Sequence, residues 1–115
     1  MIFSRDKANQ APYPKPGRYD PQRFELMARL LEAMEKQGKP LRMGDVLSIG
    51  PIPNEKADIN NNGPFSTDYI GKSWDYPNAG YRRREEIWRD HEEYTKSYLW
   101  FLAHDPSMRQ PSVAV

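Results

Sequence analysis

The stretch Val46-Leu47-Ser48-Ile49-Gly50-Pro51-Ile52-Pro53-Asn54-Glu55-Lys56-Ala57-Asp58-Ile59-Asn60-Asn61-Asn62-Gly63-Pro64 decides the fold class. Its one candidate for a short strand is Val46-Leu47-Ser48-Ile49, which Gly50-Pro51 stops. Proline fixes φ and removes a backbone donor, so the remainder, from Pro51 to Pro77, reads as one long loop. Loops of that length in a small domain are functional or disordered as a rule. Phe65, Tyr69, Trp74 and Tyr76 favour order here, because aromatic rings gain by burial. On this reading the chain is mainly α with long irregular loops.

Two helices flank the loop. Asp20 can cap free amides and Pro21 suits the first helical position, where its missing N–H costs nothing. Phe24, Met27, Leu30, Leu31 and Met34 follow at helical spacing until Gly38 and Pro40, which predicts a helix over 21–37. A second helix is predicted over 79–103. Ile87, Trp88, His91, Tyr94, Thr95, Tyr98, Leu99 and Leu102 form its apolar stripe, and Glu85–Arg89 and Glu92–Lys96 form favourable pairs on its wet side. Such a helix would be roughly 37 Å long. A compact domain of this length has a radius of gyration near 13 Å, so part of the stripe is expected to lack a partner within the chain. Before the first helix, residues 8–19 carry three prolines and read as an extended lead-in. Residues 1–106 are expected to form a single partial domain, with 107–115 a disordered tail.

Composition narrows the function classes. The hydrophobic fraction is 37% with 11 prolines, which leaves few residues for a core. A net charge of +1, from 17 basic and 16 acidic residues, gives no field to attract nucleic acid or an anionic membrane. No apolar run has membrane-spanning length. The absence of cysteine excludes disulfides, thiolate metal sites and a cysteine nucleophile. Nothing in the chain points to a compartment.

The polar segment from Pro53 to Asp68 concentrates amides, hydroxyls, acids and one lysine between proline stops. Short hydrogen-bonding side chains on constrained backbone suit the orientation of a polar ligand. They also suit a surface loop whose Asn and Asp side chains satisfy their own backbone. A degenerate calcium loop at 58–69 is a further reading. Asp58, Asn60, Asn62 and Gly63 occupy positions one, three, five and six of that pattern. Against it, Tyr69 stands where a bidentate Glu belongs, and prolines precede Asp58 where an entering helix belongs. No other metal site is expected. His91 and His104 are about 20 Å apart on one helix, too far to share an ion. Arg82-Arg83-Arg84 oppose the helix dipole and are followed by Glu85 and Glu86, which suits a solvated or domain-contact face.

The string Asn9-Gln10-Ala11-Pro12-Tyr13-Pro14-Lys15-Pro16-Gly17-Arg18-Tyr19-Asp20-Pro21-Gln22-Arg23-Phe24-Glu25-Leu26 resembles a segment of the FAD-dependent oxidoreductases. These are large bacterial flavoproteins similar in outline to the fumarate-reductase type. Asp58-Ile59-Asn60-Asn61 and Phe65-Ser66-Thr67-Asp68-Tyr69-Ile70-Gly71 are similar to a second segment of that family, and 98–106 to a third. The resemblance implies a piece of a larger α/β flavoprotein with FAD as the parent's cofactor and a small-molecule substrate. It also implies that Asn60, Asn61, Ser66, Thr67 and Asp68 form a substrate- or flavin-proximal loop. No catalytic residue is assigned by it. The glycines 17, 38, 44, 50, 63, 71 and 80 nowhere make the G-x-G-x-x-G turn that holds a pyrophosphate. The chain is therefore expected to be inactive alone, to bind no FAD alone, and to depend on a missing flavin-binding domain or partner subunit. The alternative is a non-catalytic helical module whose aromatic stripe docks a partner.

Overall fold

The computed structural model describes residues 2–39 and 41–108. It corrects the expectation of a mainly α protein, because the long segment after Val46 is not all loop. Strands β1 (Ile2–Ser4), β2 (Leu47–Ile52) and β3 (Lys56–Asn61) form one antiparallel sheet in the order β1-β3-β2. With helices α1 (Glu25–Lys36) and α2 (Tyr81–His104) the fold is a small α+β domain.

The correction has a local cause. β2 and β3 form a hairpin with Leu47 opposite Asn61 and Ile52 opposite Lys56. The turn between them contains no glycine; instead Asn54 and Glu55 take φ values of 64° and 54°, a region that favours glycine or Asn. Pro51 is accommodated because β2 is an edge strand, where a missing ladder donor is tolerated. In β3 only Ala57 and Ile59 turn inward, while Lys56 and Asn60 are exposed. That alternation is the signature of a half-buried strand, but two small apolar residues among Asn and Asp carry it weakly. β1 adds to the outer side of β3 with Phe3 opposite Ala57.

The helix ends follow the sequence punctuation. Asp20 accepts from the Gln22 amide, and a 3-10 turn at Pro21–Phe24 leads into α1. Gly38, at φ 68°, closes α1: its amide donates to the Glu35 carbonyl while the Lys39 amide donates to that of Met34. This is a Schellman closure, which needs a left-handed residue at that place. α2 begins after Gly80 and ends where the Asp105 amide bonds the Phe101 carbonyl.

One core joins the layers. Phe24, Met27 and Leu31 from the first helical segment meet Tyr98, Phe101 and Leu102 from α2, with Val46, Leu47, Ala57 and Ile59 from the hairpin side. Phe24 is the hub, with ring centroids 5.3 Å from Phe101 and 5.9 Å from Tyr98. The 3-10 turn Pro106–Met108 folds back so that Met108 is buried; the rest of the expected tail, 109–115, lies outside the described residues. Gly63 pins the hairpin's exit. At φ 76°, a Cβ there would stand 2.0 Å from the Asp45 carbonyl oxygen, so no other residue fits. Beside it the Asn62 amide donates to the Gly44 carbonyl at 2.6 Å. No helix among the described residues is long and apolar enough to cross a membrane.

Candidate functional site

The residues that follow the hairpin are fastened to the middle of α2. The Tyr94 hydroxyl donates to the Ser66 carbonyl at 2.9 Å and the Thr95 hydroxyl to the Thr67 carbonyl at 3.0 Å. Consecutive positions on α2 thus hold consecutive peptide units of the loop. The Ser66 hydroxyl accepts from the Asp68 amide, a local turn that Ser favours, and Thr67 is buried. Held this way, Tyr69 stacks on Tyr94 with centroids 4.6 Å apart and planes 10° from parallel.

A charged shell surrounds that stack. The Arg23 guanidinium lies 5.3 Å from the Tyr69 ring centroid and 5.5 Å from that of Tyr94, and Lys72 approaches Tyr69 at 5.8 Å. Cations over aromatic faces gain about 0.5–1 kcal/mol at exposed sites. His91 meets Tyr69 edge-on at 5.5 Å, and its Nδ1 lies 2.8 Å from the Ile87 carbonyl, which fits the expectation of a packed, hydrogen-bonded histidine. Arg18 crosses from the lead-in to α2: its guanidinium pairs with Asp90 at 2.9 Å and its amide donates to Glu93 at 2.7 Å. Arg18, Arg23, Tyr69, Asp90 and Glu93 enclose a polar hollow of about 200 Å³. Burial pushes the Tyr94 phenol above its ordinary value, Tyr69 and Asp68 add to this, and Arg23 opposes it.

The five residues expected to line one loop fall into two places. Ser66, Thr67 and Asp68 are in the segment clamped to α2. Ser66 and Thr67 spend their carbonyls on it, while Asp68 remains exposed. Asn60 and Asn61 lie at the end of β3, both exposed and on opposite faces of the strand. None of the five lines the hollow beneath Arg23. Residues that sequence reasoning passed over, Arg18, Arg23, Tyr69, Asp90 and Glu93, build it instead. The signal was present in two parts: Arg18 and Arg23 sit in the first resembling segment, and Asp90, Glu93 and Tyr94 share one helical face at i, i+3 and i+4.

The calcium pattern is used otherwise. Asp58 and Asn60 lie on strand β3, where the Asn60 amide donates to Asp58 at 2.8 Å and holds that carboxyl below the usual range. With Asn62 bonded to Gly44, these side chains do not converge on a point. Among the described residues no three His, Asp or Glu side chains are grouped to hold a metal ion. The arginines opening α2 are likewise engaged: Arg82 and Arg83 with Glu86, Arg83 with Asp75, and Arg84 with the carbonyls of Tyr76 and Pro77.

The family model described as FAD dependent oxidoreductase matches residues 1–114 of the chain. No curated protein matches it, and no solved structure does.

Proposed function

The chain belongs to the FAD-dependent oxidoreductase family, and from that membership we propose that it is the substrate-side part of a flavoenzyme whose dinucleotide-binding fold is supplied by other residues. FAD in such an enzyme supplies hydride or electron transfer, while protein groups supply position and electrostatics. The described residues do not fit the dinucleotide. A pyrophosphate cradle needs a strand running straight into a helix N-terminus through a glycine-rich turn. Here a 3-10 turn precedes each helix, and the sheet is antiparallel throughout. No step of the reaction is therefore assigned to flavin held by these residues.

What supports the substrate-side reading is the clamped segment 66–69 beside the Arg23 hollow. The Tyr94 and Thr95 hydroxyls fix the backbone at Ser66 and Thr67, Tyr69 and Tyr94 provide a flat wall with the exposed Asp68 carboxylate near Tyr94, and Arg23 presents donors to a polar substrate. Asn60 and Asn61 are exposed at the end of β3, where they would meet the flavin-binding part or the substrate's far end. In the complete flavoenzyme, Arg23→Ala is expected to lower kcat/KM about tenfold or more, the loss of one hydrogen bond to a charged group. An unchanged kcat/KM would remove the site from the reaction. For the chain alone, visible absorbance after purification is expected to show no retained flavin. Stoichiometric flavin would overturn the division of labour.

A second reading, a non-catalytic interaction module, draws on the exposed aromatic residues Trp74, Tyr81 and Trp88.

A further inference from the structure

The hollow between the lead-in and α2 holds two ions of opposite sign that do not pair. Arg18, Arg23, Tyr69, Asp90 and Glu93 line it, so its cations and anions balance in number. One pair is spent, because the Arg18 guanidinium binds Asp90 at 2.9 Å. The other two groups stay apart. Glu93 accepts the Arg18 amide through Oε1, which leaves Oε2 and the negative charge without a cation. Arg23 rests beside the Tyr69 and Tyr94 rings, and among the described residues no carboxylate pairs with it. Lys72 and Asp68, the other charged groups about this stack, are not among the lining residues.

We propose that a free α-amino acid fills this gap, its carboxylate on Arg23 and its ammonium on Glu93. The inference rests on the substrate-side reading of the hollow and adds the chemical class of the substrate. Size sets the first limit. A hollow of about 200 Å³ is smaller than the roughly 300–1,000 Å³ of sites for drug-sized ligands. It equals about seven waters at about 30 Å³ each, close to the non-hydrogen atoms of a small amino acid.

Charge sets the second limit. A simple carboxylate would satisfy Arg23 and offer Glu93 nothing. A dicarboxylate would press its second anion against Glu93, and a diamine would press a cation against Arg23. A zwitterion answers both groups. A guanidinium takes a carboxylate through two parallel N–H donors. An ammonium has three donors, enough for Glu93 Oε2 and for Asp90 Oδ2, which Arg18 leaves unspent one turn away on α2. The acids are held in place by Arg18 and the Tyr69 ring by its stack on Tyr94, so little freedom remains to be lost on binding. The site is small and open to water, so its affinity belongs in the millimolar range and should fall with added salt.

Alanine and its fragments make the test. Propionate keeps the carboxylate without the amine, ethylamine keeps the amine without the carboxylate, and succinate carries two carboxylates. Each is titrated into the full, nitrogen-labelled chain and followed by heteronuclear NMR. One or both enantiomers of alanine should shift the amides of Arg18, Arg23 and Glu93, and should bind about tenfold or more tightly than the other three probes. Glu93→Gln keeps an acceptor for the Arg18 amide and removes the charge. It should lower the affinity for alanine about tenfold or more and leave that for propionate no weaker. Arg23→Ala, at an exposed position, should weaken both with the rest of the spectrum unchanged. Propionate or succinate binding as tightly as alanine, or alanine indifferent to Glu93→Gln, would overturn the amino-acid class and leave the substrate-side reading standing. Alanine that shifts nothing in the hollow would overturn the class as well. An unchanged kcat/KM for Arg23→Ala in the complete flavoenzyme would instead remove the site, and this inference with it.

Discussion

The two halves of α2 have the same periodicity and opposite circumstances. From Tyr94 onward the helix has a domain to lean on: Tyr98 and Phe101 are each 1% exposed, and Leu102 and Ser97 are buried with them. From Tyr81 to Asp90 only Ile87 is buried, and the aromatic rings of Tyr81 and Trp88 face outward. The first half is secured by side chains reaching backward. Arg84 holds the carbonyls of residues 76 and 77, and Arg83 holds Asp75. Apolar spacing marks a face that can be buried, and only the rest of the fold decides whether it is. A radius of gyration of 15.8 Å, against about 13 Å for a compact domain of this length, reflects a body that extends past its core.

Truncating one ring in each half gives the largest contrast. Phe101→Ala should cost about 3–5 kcal/mol, because it empties a packed site that touches Phe24. Trp88→Ala should stay within about 0.5 kcal/mol. Chemical denaturation of both would measure the difference, and similar losses would mean the first half is packed after all.

Alkaline pH should act on the packed half next. Burial raises the Tyr98 phenol well above its ordinary value and pushes Tyr13 up to about 12. A raised folded value means that stability is fully present below the unfolded phenol value near 10 and is lost as pH rises through the folded values. Tyr98→Phe should therefore flatten the stability loss above pH of about 10 relative to the parent chain.

At the junction between the halves, Tyr94→Phe removes the hydrogen bond to Ser66 and should cost about 1 kcal/mol. Hydrogen exchange of residues 66–70 should quicken while the β2–β3 hairpin keeps its protection. Unchanged exchange would mean that the Thr95 bond alone holds the clamp. The smallest effect belongs to the exposed pairs Glu85–Arg89 and Glu92–Lys96. Removing either should cost about 0.3–0.5 kcal/mol, and the loss should shrink in high salt.

Both helices were legible in the sequence, as were the ends of the first, since Asp20, Pro21 and Gly38 act through local backbone geometry that any context preserves; Gly80, expected inside the second helix, instead caps it. The sheet was not. β3 shows only Ala57 and Ile59 to the core, its turn uses Asn54 and Glu55 in place of glycine, and β1 is three residues long and paired with a segment more than fifty residues away. Long-range pairing leaves no periodic trace in so short a strand. The candidate site was half legible for the same reason. The polar character of 66–68 stands in the composition, but the hollow is assembled from Arg18, Arg23, Tyr69 and α2, which only tertiary packing brings together.

The strand order β1-β3-β2 also carries a statement about time. β2 and β3 are joined by a three-residue turn and can pair within microseconds. Ile2–Ser4 must wait for them, because its partner strand is the last of the three in the chain and closing that loop is entropically slow to repay. On a ribosome the opening residues would leave the exit tunnel long before their docking edge exists. Contacts made after the rate-limiting step chiefly govern how fast a protein comes apart. Deleting residues 2–4 should then leave the refolding rate nearly unchanged and quicken unfolding.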